Sequence, residues 1–254
     1  MQPNLSNLFT PTPLWLDAFF VVTTLLTLGM LYTAAHRVSV SGAVRVLVAS
    51  LVWLTLLAVL AYRHFFQQLD AIPPHFVLAI GVPLLLIIGL VITTGGRAWT
   101  SQLPLPILTL LHTVRIPVEL SLYGLYLYQQ VPQLMTFEGR NYDILAGITA
   151  PVVAYYAFKQ KRLAPRWLLL WNLLSVGLLL NIVVQAVLST PLPFQQMGFE
   201  QPNVALLKMP YVWLPGFVVP TVLFSHIVAI GQLIQPILPG SVPSSPSRSS
   251  NSER

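Results

Sequence analysis

The sequence predicts an all-α, polytopic transmembrane helical bundle of about seven spans, and three observations carry that prediction. The 254 residues are 55% hydrophobic and only 8% charged, where ordinary soluble domains carry about 25% charged residues. The apolar residues fall in long runs, and about 20 consecutive apolar residues are what a helix needs to cross a bilayer. None of the runs shows the strict alternation over about ten residues that marks a transmembrane β-strand.

The runs cover 14–35, 43–62, 76–94, 104–130, 142–158, 167–189 and 211–235. Each is long enough to cross as a helix, which satisfies its backbone internally; 142–158 is the shortest. Trp15, Trp99, Trp167, Tyr211 and Trp213 sit near the predicted ends, where amphipathic rings prefer the membrane interface. Pro83, Pro117, Pro151 and Pro220 fall inside runs, where each removes a backbone donor and can kink its helix.

Orientation follows from Lys and Arg. With the N-terminus outside, the cytoplasmic loops and tail hold Arg37, Arg45, Arg97, Lys159, Lys161, Arg162, Arg166, Arg248 and Arg254. The outer loops hold Arg63, Arg140 and Lys208. That asymmetry predicts N-out and C-in, in a plasma or bacterial inner membrane. Residues 1–235 form one membrane domain, and the Pro/Ser-rich stretch 236–254 is expected to be a disordered cytoplasmic tail. No positive charge precedes the first run, so that run is expected to be a retained span rather than a cleaved signal.

Composition excludes several functions. The net charge of +6 is spread over short loops, so no basic face forms for nucleic acid. There is no cysteine, which removes disulfides, thiolate metal sites and cysteine nucleophiles. Nucleotide-binding glycine loops, HExxH and GxSxG are absent. A retinal protein is excluded because 211–235 contains no lysine. The loop from Glu138 to Asp143 with His112 offers an acid and a base, but nothing orients a nucleophile and no enzyme is assigned.

The informative residues are those that cost energy in lipid. Run 104–130 holds His112, Arg115 and Glu119, within about 60° of arc at about 100° per residue. Tyr123, Tyr126 and Gln130 extend that stripe. A mid-bilayer charge costs roughly 2.5–3.5 kcal/mol on insertion scales, so this face should border the bundle interior or water. Arg115 and Glu119 are four residues apart and are expected to pair. Pro117 frees a carbonyl near Thr113. The loop Glu138, Gly139, Arg140, Asn141, Tyr142, Asp143 reads as a lid, with Asn141 or Asp143 capping the next helix and Gly139 freeing the turn. Asn181 and Gln185 share one face of run 167–189, and Asn172 and Ser175 another.

The expected ligand or ion pathway therefore comprises His112, Arg115, Glu119, Tyr123, Tyr126, Glu138, Arg140, Asp143, Asn181 and Gln185, opening outward. It would take a small molecule or an ion. Two alternatives stand beside it. His112 and His226 lie at similar depth and would bracket a haem or share a metal. Otherwise the polar groups fix helix packing in a structural or assembly subunit. The lipid bilayer is the one partner that composition demands.

Overall fold

The computed structural model of the protein describes residues 2–234. The expected tail, 236–254, and the last residue of the seventh run lie outside them. The described residues form helices and connecting turns without strands.

Helix α1 (Leu14–His36) starts after Pro13 with Asp17 in its first turn, where a negative charge favours the helix dipole. Its buried Thr23, Thr24 and Thr27 hydroxyls donate to the carbonyls of Phe19, Phe20 and Thr23, so they enter the interior already satisfied. A tight turn leads into α2 (Val40–Tyr62), where Ser39 caps by accepting from Gly42 N at 3.0 Å. Helix α3 (Phe76–Ile92) stops at Thr93, and α4 (Thr94–Thr100) leaves at 91°. Gly96 permits that corner, because a Cβ there would strike the Leu90 backbone.

The run 104–130 is not one uniform helix. It divides into α5 (Leu105–Leu111), a 3₁₀ turn (His112–Val114) and α6 (Arg115–Leu127). Pro117 has no N–H for the Thr113 carbonyl, and the chain tightens at the turn just before it. Helix α7 (Ile144–Ala154) runs into a π turn (Tyr155–Lys159). Helix α8 (Pro165–Ser189) is the longest. A second π turn (Leu214–Val218) precedes α9 (Val219–Ile234).

Helix α1 packs on α2, α5 and α6, α8 packs on α9, and α9 packs on α3 and α5. Gly147 brings α7 onto the start of α6, since a Cβ there would lie 2.9 Å from Ile116 Cγ1 and 3.2 Å from Arg115 Cβ. Outward faces carry exposed Val52, Leu85 and Leu174. An apolar exterior of this kind fits lipid rather than water.

Among the described residues, five helices are long and apolar enough to cross a membrane, or six if α3 and α4 make one broken span. The segment Ile144–Lys159 is apolar but shorter. The fold is thus a multi-pass helical membrane bundle, with fewer full-length crossings than the seven expected.

The two ends of the bundle differ. One is loop-rich and knitted together. Lys208 Nζ donates to the Asn7 and Thr10 carbonyls at 2.8 and 2.9 Å and to Gln130 Oε1 at 2.5 Å. Tyr211 donates its hydroxyl to Asp17 Oδ1 at 2.7 Å. The other end has short connections and carries Arg37, Arg45, Arg97, Lys159, Lys161, Arg162 and Arg166.

Candidate functional site

The polar stripe on α5 and α6 is sealed in the interior: His112 is 0% exposed, Arg115 2% and Glu119 1%. A buried guanidinium needs acceptors on every side, and three neighbouring elements supply them. Arg115 Nη1 donates to Asp143 Oδ1 at 3.0 Å and to the Ser175 carbonyl at 3.2 Å. Arg115 Nη2 lies 2.8 Å from His226 Nε2. Arginine thereby ties α6 to the start of α7, to α8 and to α9.

The expected pairing of Arg115 with Glu119 is corrected. Among the described residues, the ion pair of Arg115 is with Asp143. Arg115 is the first residue of α6, right after the 3₁₀ turn, and its guanidinium reaches across to α8 and α9. Glu119 sits one turn on and meets the loop instead. Asn141 Nδ2 donates to Glu119 Oε1 at 2.6 Å and to the Met135 carbonyl at 3.0 Å. Asn141 Oδ1 accepts from the Asp143 backbone N–H at 3.0 Å. Asn141 is therefore the capping side chain and the bridge from Glu119 to the Arg115–Asp143 pair; the Asp143 side chain caps nothing.

The histidines close the network. Asn172 Nδ2 donates to the Leu168 carbonyl at 2.9 Å, and Asn172 Oδ1 lies 2.9 Å from His226 Nδ1. Ser225 Oγ donates to the Val222 carbonyl at 2.8 Å and stands 3.2 Å from His112 Nε2. The His112 and His226 rings stack with centroids 3.8 Å apart and 17° between planes. Trp171 meets the His112 ring edge-on at 5.4 Å.

That stacking answers the haem and metal expectation. Two axial ligands must stand on opposite sides of an iron with their nitrogens facing it. Here the ring faces are in van der Waals contact, and His226 Nε2 is taken by Arg115. Groups of three or more His, Cys, Asp or Glu able to hold a metal are absent among the described residues. The pair does not fit a haem or a shared metal.

Four buried side-chain atoms of this segment lack a partner: Thr109 Oγ1, His112 Nδ1, Arg115 Nε and Glu119 Oε2. Such atoms are uncommon in native interiors and call for water or a ligand.

The remaining expected site residues stand apart from this cluster. Tyr123 is half-buried against Phe137, with ring centroids 4.9 Å apart. Tyr126 lines a surface hollow of about 460 Å³ with Gln133 and Gln201. Glu138 and Arg140 have exposed side chains. Asn181 and Gln185 donate to the Arg140 carbonyl at 2.8 and 3.2 Å, which anchors the loop on α8. Gly139 is needed for a close approach rather than for freedom, because a Cβ would meet the Gln133 carbonyl and lie 2.7 Å from Leu134 Cα. Asn172, Ser175 and Ser225 belong to the network although the sequence did not single them out as site residues. The signal for Asn172 and Ser225 was a polar side chain on runs 167–189 and 211–235, whereas Ser175 joins through its backbone carbonyl.

Two apolar cavities, of about 340 and 170 Å³, flank α9, and neither is lined by His112, Arg115 or Glu119.

Residues 72–234 match the model of a family described as a domain of unknown function, DUF8737. The chain belongs to the DUF8737 family. No curated protein matches it, and no solved structure does. The DUF8737 match spans α3 to α9 and so contains the whole Arg115 network, while α1 and α2 precede it.

Proposed function

We propose that this DUF8737 protein spans the membrane seven times, loop-rich end outside and basic end in the cytoplasm, and binds or conducts a small polar solute or ion at the Arg115 network. The count takes α3 with α4 as one broken span and α7 with its π turn as a short one. The basic end supports the orientation.

The observation that carries the function is the set of unpartnered atoms His112 Nδ1, Arg115 Nε and Glu119 Oε2 on one stripe. They offer a lone pair, a donor and a carboxyl oxygen to water, a proton or a ligand. Glu119 is central, since among the described residues its carboxyl has no cation within 4.0 Å and one oxygen without a partner. The sealed arrangement then corresponds to an occluded state, reached from outside through the Asn141 loop.

Purified protein in liposomes with an entrapped pH dye tests this under imposed proton and ion gradients. Wild type is expected to carry flux, and Glu119→Gln to lower it at least tenfold while folding normally. Equal flux in wild type, Glu119→Gln and Arg115→Met vesicles removes the proposal.

A structural or assembly role is the second reading, favoured by the complete burial of Arg115 and by its bonds to three elements. It expects no flux in any vesicle and a partner that co-purifies in mild detergent.

A further inference from the structure

The larger apolar cavity, about 340 Å³, lies between α2, α3 and α9. Ala49 and Trp53 on α2, Pro83 and Leu90 on α3, Phe217 on the π turn before α9 and Phe224 on α9 build its wall, with Arg45 also lining it. From Arg45 to Trp53 is eight residues, about 12 Å along the helix. Trp53 Nε1 is bonded to the Gly216 carbonyl at 2.8 Å, so its one polar side-chain atom is already satisfied. A volume of this size is in the range of ligand sites, and its walls suit hydrocarbon.

Arg45 gives the groove a polar terminus. It is exposed, its Nε donates to the Ser41 carbonyl at 3.3 Å, and it forms no ion pair among the described residues. It belongs to the end carrying Arg37, Arg97, Lys159, Lys161, Arg162 and Arg166, where the described residues include no Asp or Glu. A zwitterionic headgroup would find a partner there for its phosphate and none for its amine. An anionic headgroup matches fully, and arginines at this depth attract anionic lipid.

We propose that this groove binds one acyl chain of an anionic phospholipid, with its phosphate against Arg45. Native mass spectrometry of the full chain in detergent, titrated with phosphatidylglycerol or phosphatidylcholine, tests it. Wild type is expected to retain phosphatidylglycerol in preference. Arg45→Gln should weaken that binding about fivefold, the scale of one arginine at an anionic surface, and weaken phosphatidylcholine binding less. Ala49→Trp fills the groove and should abolish retention of either lipid; Ser50→Trp serves where Ala49→Trp does not fold. Arg37→Gln, at the same end but outside the groove, should bind as wild type does. Equal retention of the two lipids by wild type overturns the proposal. So does undiminished binding to the folded tryptophan variants, or an Arg37→Gln loss as large as that of Arg45→Gln.

Discussion

Arg115 Nη2 stands 2.8 Å from His226 Nε2, and because a guanidinium can only donate, that nitrogen carries the lone pair. The His226 proton is then on Nδ1, where Asn172 Oδ1 accepts it, and Asn172 is oriented by its own bond to the Leu168 carbonyl. His112 has the opposite tautomer. The single Ser225 hydroxyl proton goes to the Val222 carbonyl, so Ser225 Oγ receives a proton from His112 Nε2. Nitrogen-15 NMR at neutral pH should show His226 as the Nδ1–H form and His112 as the Nε2–H form. Two identical tautomers, or an imidazolium at His226, would contradict the network.

Removing one partner of the Arg115–Asp143 pair leaves a charge buried without compensation. Asp143→Ala is expected to lower stability by about 3–5 kcal/mol, the usual cost of breaking a buried pair. Replacing both, as Arg115→Met with Asp143→Leu, should cost less than Asp143→Ala alone, since no orphan charge remains. Thermal unfolding in detergent distinguishes them, and a double variant weaker than the single one would show that the pair contributes more than mutual neutralisation.

Helix α2 and the turn that leads into α9 are clasped by reciprocal tryptophans. Trp53 Nε1 donates to the Gly216 carbonyl, which Pro220 cannot serve, and Trp213 Nε1 donates to the Leu54 carbonyl at 2.9 Å. Trp53→Phe should therefore cost about 1–3 kcal/mol, the penalty for an unmet buried carbonyl. Gly216→Ala brings its Cβ onto the tip of Leu57, a flexible side chain, whereas Gly139→Ala brings it onto the Gln133 backbone. Unfolding midpoints should fall further for Gly139→Ala, and the reverse order would mean that Leu57 has no room to move.

The helical class and the buried stripe were legible because hydropathy and the 3.6-residue period are local. His112, Arg115 and Glu119 were found by the cost of placing them in lipid. Their partners were not. Arg115 chooses Asp143, 28 residues on, over Glu119, four residues on, because the 3₁₀ turn ahead of Pro117 sets where its guanidinium reaches. Likewise the similar depth of His112 and His226 was visible, but the 3.8 Å stacking that rules out a metal between them depends on how α5 meets α9. The shortness of α7 reflects its ending in a π turn, which hydropathy does not encode.

The loop-rich end should respond to alkali through Lys208. Burial pushes its ammonium down to about 8, although Asp17 pulls the other way. In the unfolded chain the group titrates near 10.5. Between these values the unfolded state binds more protons, so stability rises with pH. Below about pH 8 the cost of burying the charge is fully present, and it is relieved as pH climbs toward 10.5. Unfolding midpoints measured from pH 7 to 10.5 should therefore show an upward component that Lys208→Met lacks. Absolute stability of that variant is a separate matter, since it also gives up the bonds to Asn7, Thr10 and Gln130. A wild-type slope equal to that of Lys208→Met would mean that the amine stays hydrated in the folded protein.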